Sequence, residues 1–457
     1  MGIFTPGSRI HMIGIAGSGM SGIAEILAAR GFIVSGSDEK ESGTLRNLAS
    51  HGIRTHVGHD ASHIGEAQYV VISSAIRDSN PEVIAAKEKG IEIVRRASAL
   101  ARLLPGKFSI AVAGTHGKTT TSAIFAHMLT ALGRDPSFVI GSKVASLGVS
   151  AREGQGDVFV VEADESDGSF LDYNPDGAII TNVELDHVDN FSSIDQVVEL
   201  FTRFITTAKD FVVLCGDDPR ASRLVVPEGI RRITYGTTTS SDLVITEIKE
   251  SADGLSAKVQ WQGSTPADLT LSVHGRHNAL NAAAVVASAL AMGIDLSSAC
   301  HAIAGFMGTS RRFEVKGNVD GITIIDDYGH HPTEIEATIS AARSVIAAKA
   351  PGRLCVIFQP HRYSRTAAFA SEFSTALSQA DRSFVLGIYS AGEDPLPGAS
   401  SQVIAEKATN STHLLDVSEV IAEVTEWARP GDLILTLGAG DVTDLGPKLL
   451  ASLKSRN

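Results

Sequence analysis

Short apolar runs that end at glycine or at polar residues recur through the 457-residue chain, and helical segments follow most of them. Ile10–Ile15, Phe108–Ala113 and Leu354–Phe358 are three of these runs. Strands that alternate with helices imply parallel pairing through right-handed crossovers, which place helices on both faces of a sheet. The sequence therefore predicts an α/β fold built from doubly wound sheets.

The length of the chain predicts about three such units, since a domain takes roughly 150 residues. Changes of pattern place these units at residues 1–106, 107–309 and 310–457. Residues 230–273 alternate Thr, Val and Ile with charged residues and glycine turns, which indicates a small antiparallel region. We expect the first and third units to be Rossmann-like, and the central unit to be a P-loop ATPase-like mixed sheet.

Net charge and cysteine use limit the class of partner. Lys plus Arg number 39 against 52 Asp plus Glu, so the formal charge is −13 and no basic field attracts nucleic acid or an anionic membrane. Cys215, Cys300 and Cys355 are sparse and odd in number, which favours reduced thiols. No signal-peptide pattern is found, and no apolar run reaches the roughly 18 residues that span a bilayer. We therefore expect a cytoplasmic protein without membrane insertion.

A glycine-rich turn follows the first predicted strand. Gly17–Gly22 has the pattern G-x-G-x-x-G, and Asp38 stands at the end of the next predicted strand. Glycines at such a turn let backbone N–H groups and a helix N-terminus approach a diphosphate, and the acid is placed to reach a ribose. NAD and a UDP-sugar fit this pattern comparably well, and a tight turn without a ligand remains an alternative.

A second turn, Gly114–Thr120, resembles a phosphate-binding loop between a strand and a helix. Lys118 is placed to meet the β- and γ-phosphates of a nucleotide, and Thr119 to hold Mg²⁺. Val112 stands where the usual pattern has its first glycine, so Gly114 is expected to take the sharp turn. Glu162 opens an acidic run after a buried strand, where one carboxylate can reach a metal that phosphates also hold.

Polar residues also crowd the ends of later predicted strands, which is where open α/β sheets bind ligands. His187 follows one such strand, and 326–332 and 359–366 follow two others. Arg362 and Arg365 are suited to clamp a carboxylate or phosphate, although surface ion pairs are the alternative. Asn278 either bonds an adenine edge or caps its helix, and spacing alone does not separate these two roles.

Six blocks in order resemble the Mur ligase family, across essentially the whole chain. They are Gly14–Gly22, Gly114–Thr121, Glu162–Phe170, Asn182–Asp189, Asp326–Pro332 and Gln359–Thr366. The resemblance implies a UDP-sugar-binding domain at residues 1–106 and a central ATP-binding domain at 107–309. It also implies a C-terminal domain at 310–457 that binds an amino acid and closes over ATP.

The resemblance implies roles for single residues. Catalytic roles are implied for Lys118, His187, His330, Arg362 and Arg365. ATP binding is implied for Gly114, Thr115, His116, Gly117, Lys118, Thr119, Thr120, Asn278, Asn281, Arg312 and Asp326. UDP-sugar binding is implied for Gly17, Ser18, Gly19, Met20, Ser21, Asp38 and Ser74. Binding of L-alanine is implied for Tyr328, His330, Arg362 and Arg365, and metal binding for Thr119, Glu162 and His187.

The implied activity is ATP-dependent ligation of L-alanine to the lactyl carboxylate of UDP-N-acetylmuramate through an acyl phosphate, in peptidoglycan precursor synthesis. The implied cofactors are ATP and Mg²⁺, with Mn²⁺ as a substitute, and we expect a monomer or a homodimer. The run Pro360–Thr366 favours this activity over that of the similar tripeptide-recycling ligases. A nicotinamide-dependent oxidoreductase and a nucleotide-sugar sensor without turnover are the alternatives from other classes.

Two departures from the family pattern matter. Ala16 stands where the family usually has glycine. Several family members hold a second metal with a carbamoylated lysine, but no lysine lies between Lys143 and Lys209 here. We therefore predict that no carbamoylated lysine bridges the metals and that His187 helps to bind them instead.

Overall fold

A computed structural model describes residues 4–73, 75–349 and 351–456. These residues form three sheets of five, ten and six strands, each with its own helices. Most strand pairs are parallel, so the predicted α/β fold is confirmed. The domain boundaries and domain roles given above stay predictions.

The N-terminal sheet is wholly parallel, with strand order β3-β2-β1-β4-β5. Its strands are β1 (Arg9–Ile13), β2 (Ile33–Asp38), β3 (Arg54–Val57), β4 (Tyr69–Ile72) and β5 (Glu92–Arg95). Its helices are α1 (Ser18–Ala29), α2 (Gly43–Ser50), α3 (Pro81–Glu88) and α4 (Arg96–Ala101). The strand order reverses direction between β1 and β4, and the glycine-rich turn lies at that switch point, where open sheets bind ligands.

Helix α3 carries a carboxylate into the interior of the N-terminal unit. Glu82 is fully buried, and its Oε2 accepts a hydrogen bond from Ser37 Oγ at 2.6 Å and lies 3.3 Å from His11 Nε2. Burial alone would raise the pKa of Glu82, but these groups and His63 outweigh it and lower the pKa to about 2. The buried ionised carboxylate therefore stabilises the fold through its partners.

Replacing Glu82 with alanine should destabilise the protein by about 3 kcal/mol, because it leaves buried polar partners without an acceptor. The midpoint of thermal unfolding measures the effect, with Glu88→Ala on the exposed face of the same helix as the control. Since the folded-state pKa lies below the usual 4.5, the stabilisation is present above that pH and is lost as pH falls toward 2. Equal unfolding midpoints for the two variants would contradict the assignment.

The central sheet has the order β15-β14-β13-β12-β11-β10-β6-β9-β7-β8. Its strands are β6 (Phe108–Ala113), β7 (Ser137–Val139), β8 (Ala151–Arg152), β9 (Val158–Glu162), β10 (Gly177–Ile180), β11 (Phe211–Cys215), β12 (Arg231–Gly236), β13 (Leu243–Ser251), β14 (Gly254–Trp261) and β15 (Ala267–Leu271). Its helices are α5 (Lys118–Ala131), α6 (Ile194–Ile205), α7 (Arg276–Ala291) and α8 (Leu296–Ile303). The predicted antiparallel region is present but begins at β13, because β12 still pairs parallel with β11.

The C-terminal sheet has the order β16-β17-β21-β18-β19-β20, and among its described residues only the edge strand β16 pairs antiparallel. Its strands are β16 (Glu314–Val319), β17 (Ile322–Asp327), β18 (Leu354–Phe358), β19 (Arg382–Val385), β20 (Ser411–His413) and β21 (Leu433–Leu437). Its helices are α9 (Pro332–Lys349), α10 (Tyr363–Leu377), α11 (Gln402–Lys407), α12 (Val417–Trp427) and α13 (Leu445–Ser455).

The three cysteines are buried and unpaired, as predicted for reduced thiols. Within the described ranges, no helix is both long and apolar enough to cross a membrane.

Candidate active site

The phosphate loop depends on two glycines with positive φ. Gly114 has a φ of +127°, and a Cβ built on it would lie 2.0 Å from Thr181 Oγ1. Gly117 has a φ of +85°, which side-chain-bearing residues rarely adopt. The loop is fixed from the end of β10, because Asn182 Oδ1 accepts from the His116 N–H at 2.8 Å. Gly114 therefore takes the sharp turn, while Val112 stays buried within β6.

Lys118 begins α5, and its ammonium group lies over the loop. Its Nζ donates to Gly114 O at 2.6 Å, to Thr115 O at 3.1 Å and to Glu165 Oε2 at 2.8 Å. Burial alone would lower the pKa of Lys118, but the neighbouring carboxylates, Glu165 foremost, outweigh burial and raise it. The loop therefore holds a permanent positive charge.

All three units line one cavity of about 490 Å³ around this lysine. The N-terminal unit contributes Gly19 and Arg96. The central unit contributes Thr115, Gly117, Lys118, Thr119, Glu162, Asp164, Asp186 and His187. The C-terminal unit contributes Arg311, Arg312, Tyr328, His330 and Glu334. The structure thus brings together predicted residues that are far apart in the sequence.

The donor atoms near Lys118 suit a divalent cation held together with nucleotide phosphates. Glu162 Oε1 accepts from the Gly141 N–H at 2.8 Å, and burial raises the pKa of Glu162. A bound cation would supply a positive partner that stabilises the ionised form of this buried carboxylate. The Thr119 hydroxyl and the Glu162 carboxylate are oxygen ligands of the kind that Mg²⁺ prefers, and the His187 imidazole also suits Mn²⁺.

His187 has the unusual φ of +51° for a residue with a side chain. The backbone N–H of His187 donates to Asp186 Oδ1 at 2.7 Å, and this hydrogen bond holds the backbone in the positive-φ conformation. His187 Nε2 lies 3.8 Å from Glu165 Oε1, and the buried His187 Nδ1 has no hydrogen-bond partner in the part of the chain that the structure describes. A buried nitrogen without a partner is consistent with a ligand at this position.

A second cavity, of about 170 Å³, lies between the phosphate loop, α7 and the start of α9. Among the predicted residues it is lined by His116, Gly117, Thr120, Asn278, Asn281 and Arg312. Asn278 does not cap α7, since the cap residue is Gly275 and the Asn278 amide donates to His274 O at 2.6 Å. Arg312 lines both cavities and so connects them.

His116 joins the phosphate loop to the C-terminal unit. Its Nε2 lies 3.4 Å from Glu184 Oε2, and its Nδ1 lies 3.3 Å from Glu334 Oε1. Burial alone would lower the pKa of His116, but the two carboxylates outweigh burial and raise the pKa to about 9. A charged imidazole between two acids therefore links the two units.

The glycine-rich turn is shaped by its predicted acid. Asp38 Oδ2 accepts from the Ala16 N–H at 2.9 Å, so alanine at this departure from the family pattern is accommodated through its backbone. Gly19 faces Arg96, because a Cβ on Gly19 would lie 2.5 Å from Arg96 Nη1. The turn therefore presents an arginine that the sequence did not single out.

Several predicted residues do not lie with the others. Met20 is buried in the core of the N-terminal unit, and Ser21 lines a separate groove that faces α2. The backbone of Ser18 begins α1, and Ser74 lies outside the described residues. The side chain of Asp326 points into the C-terminal unit, where the hydroxyls of Thr436 and Thr443 donate to it. Side chains alternate along β17, so the neighbouring Asp327 faces the second cavity instead.

The two arginines predicted for L-alanine are occupied by carboxylates of the central unit. Arg365 is 3% exposed, and its Nε and Nη2 donate to Asp186 Oδ1 at 2.9 and 2.7 Å. Arg362 Nη1 donates to Asp189 Oδ2 at 2.5 Å. Both side chains therefore hold the C-terminal unit against the central unit in this structure, while Tyr328 and His330 face the large cavity.

Residues that the sequence did not single out complete the site. They are Arg96, Glu184, Glu334 and Asp327, which line the cavities beside the predicted groups. Glu184 and Asp327 lie within two of the six blocks but had no assigned role. Arg96 and Glu334 lie outside the blocks and reach the site only through the packing of the units. The Glu165 partner of Lys118 lay within the acidic run but without an assigned role.

Comparison with known proteins gives three family matches along the chain. Residues 9–107 match the Mur ligase family, catalytic domain. Residues 112–289 match the Mur ligase middle domain, and residues 311–440 match the Mur ligase, glutamate ligase domain.

Whole-chain relatives agree with these matches. The UDP-N-acetylmuramate–L-alanine ligase of Thermobifida fusca is 45% identical, with 97% of this chain and 96% of that protein covered. The same ligase of Streptomyces avermitilis is 46% identical, with 100% and 99% covered. The crystal structure of UDP-N-acetylmuramate-alanine ligase from Thermotoga maritima superposes with a TM-score of 0.84 at 29% identity, covering 98% of this chain and 100% of that one. The chain therefore belongs to the Mur ligase family.

Proposed function

We propose that the protein is an ATP-dependent ligase that joins L-alanine to the lactyl carboxylate of UDP-N-acetylmuramate, releasing ADP and phosphate. The single observation that carries the proposal is the cavity that all three units line around Lys118. Lys118, Gly19 of the glycine-rich turn and side chains of the C-terminal unit line this one space, which supports binding of ATP, the UDP-sugar and the amino acid next to one another. The relatives named above support this substrate pair over the tripeptide-recycling alternative.

The reaction must bring anions together and must exclude water. Attack of the carboxylate on the γ-phosphate gives an acyl phosphate, and the amine of alanine then displaces phosphate. Lys118 neutralises charge on the phosphates during both steps, and Arg312 adds a second positive charge at the same cavity. Enclosure by three units keeps water away from the acyl phosphate, which would otherwise hydrolyse.

The same geometry supports the positions that we propose for the cofactors and substrates. Thr119, Glu162 and His187 would hold Mg²⁺, which supplies further charge neutralisation at the phosphates when bound. The second cavity, with Asn278, Asn281 and Arg312, would take the nucleoside of ATP. Gly17, Gly19 and Asp38 would position the UDP-sugar, and Tyr328 and His330 would face the incoming alanine.

Phosphate release from ATP tests the proposal. Release that requires both UDP-N-acetylmuramate and L-alanine identifies the ligase, and glycine and serine in place of alanine measure selectivity. Binding of the nucleotide sugar without any release would favour the sensor. An absorbance change of NADH would favour the oxidoreductase, which leaves the Lys118 loop unexplained.

Ligation should not depend on bicarbonate, because the chain has no lysine between Lys143 and Lys209 that could be carbamoylated to bind a metal. We expect equal rates in carbon dioxide-free buffer and in buffer with added bicarbonate. Activity that disappears without carbon dioxide and returns with bicarbonate would contradict this prediction and the metal-binding role given to His187.

A further inference from the structure

Two imidazoles and a carboxylate meet where the central unit contacts the C-terminal unit. His116 and Glu184 belong to the central unit, and His331 lies just before α9 in the C-terminal unit. One nitrogen of each histidine and one oxygen of the glutamate lie within 4.8 Å of one another. Glu184 Oε2 lies 3.4 Å from His116 Nε2 and 3.9 Å from His331 Nδ1.

We propose that His116, Glu184 and His331 bind a transition-metal cation such as Zn²⁺ and that this cation bridges the two units. Two imidazoles and one carboxylate are a common ligand set for Zn²⁺, whose bonds of about 2.0–2.2 Å place tetrahedral ligand atoms roughly 3.4 Å apart. The separation of Glu184 from His116 already fits, and that from His331 is slightly longer. The ligand nitrogens of the two imidazoles lie within 4.8 Å of each other, so a tetrahedral set requires the imidazoles to approach.

The remaining ring nitrogens are oriented as they are in metal-binding histidines. Such a histidine donates its other N–H to a carboxylate or a backbone carbonyl, which leaves a lone pair directed at the metal. His331 Nε2 lies 3.3 Å from Leu185 O, and since a carbonyl only accepts, Nε2 carries the proton. His331 Nδ1 is then unprotonated, and its lone pair accepts a long hydrogen bond of 3.4 Å from the Thr333 backbone N–H, which a metal would replace. Like the Nε2 of His331, His116 Nδ1 faces an acceptor, Glu334 Oε1. Both histidines thus have the outer contacts that a metal site needs.

The nitrogen of His116 that faces Glu184 also supports the assignment. His116 Nε2 is buried, lies 3.4 Å from Glu184 Oε2 and makes no hydrogen bond among the described residues. Without a metal, a proton on this imidazole supplies the positive charge between the two carboxylates; with a metal, that proton is released to solvent. Mg²⁺ prefers six oxygen ligands, so this site is expected to select a transition metal over the cation that accompanies ATP.

A cation at this position would affect the relation between the units. His116 belongs to the phosphate loop and His331 directly precedes α9, so one bound ion would hold the C-terminal unit against the loop. His116 and Glu184 also line the cavity of about 170 Å³, so a water molecule there can be the fourth ligand while no nucleotide is bound. Zn²⁺ is therefore expected to favour the arrangement of the two units in which His116 and His331 lie together.

Metal titration of the full-length chain tests the proposal without relying on ligase activity. With millimolar Mg²⁺ present, we expect one equivalent of Zn²⁺ to bind in competition with a chromophoric chelator, and Co²⁺ to give the visible absorption of a four-coordinate site. His331→Ala and the nearly isosteric Glu184→Gln should each weaken Zn²⁺ binding at least about tenfold. His301→Ala, on an exposed position of α8, is the matched control and should bind normally.

Thermal unfolding of each variant shows whether it is folded, and Glu184→Gln decides the question if His331→Ala is not. No Zn²⁺ binding by the unmodified chain would overturn the proposal. Binding of equal strength by the Glu184→Gln variant and the control would do the same, since it would place the ion elsewhere.

Discussion

Replacing Lys118 with alanine should lower the rate of phosphate release by about a thousandfold or more. Lys118 is the cation that the phosphate loop holds over its own carbonyl oxygens, and it faces the cavity shared by the three units. Groups of this kind act on charge that develops during phosphoryl transfer, in a site from which water is excluded. Binding of the UDP-sugar should stay near normal, because that substrate is expected at the turn of the N-terminal unit.

The measurement combines phosphate release with calorimetric binding of UDP-N-acetylmuramate. Alanine at position 118 also leaves Glu165 buried without its partner, so thermal unfolding must show that the variant is folded. Lys118→Met, which keeps most of the side-chain volume, should be equally inactive. Lys209→Ala, an exposed lysine of the same unit, should retain normal activity. A Lys118 variant with normal phosphate release would refute the role of the loop.

Local patterns predicted the framework of the site well. The strands β6 and β18 have the predicted bounds, and Lys118 and Glu162 lie at a helix start and a strand end as expected. These predictions succeed because an apolar run, a glycine turn and the next residues are determined by neighbours in the chain. Such signals do not depend on how distant segments pack.

The contacts between units were not predictable in this way. His116 meets Glu334, and Arg365 meets Asp186, although 179 positions separate the last two. The sequence also did not show which of the adjacent acids Asp326 and Asp327 reaches the cavity. The orientation of β17 in the sheet decides this, because it directs Asp327 to the cavity and Asp326 away from it. Their roles are decided by the packing of sheets, which no single-chain periodicity encodes.

The ion pair of Arg365 with Asp186 leads to the second large effect. Both side chains are nearly buried, the arginine donates twice to one oxygen, and Arg365 Nη1 also contacts His361 Nδ1 at 3.2 Å. The nearby arginine and histidines hold the pKa of Asp186 far below its usual value, although burial alone would raise it. Removing one partner of such a pair costs about 3–5 kcal/mol. Asp186 also accepts the hydrogen bond of the His187 backbone N–H, so breaking the ion pair should displace His187, the proposed metal ligand.

We therefore expect Arg365→Ala and Asp186→Ala each to lower kcat about a hundredfold or more, even at saturating L-alanine, and their effects in the double variant not to add. Arg343→Ala, which breaks an exposed ion pair of the same unit, is the control and should be nearly neutral. The alternative is that Arg365 takes the carboxylate of alanine. In that case Arg365→Ala would raise KM for alanine and recover at high alanine, while Asp186→Ala would remain active. The structure favours the first outcome, because the guanidinium already has a buried carboxylate partner in the opposite unit.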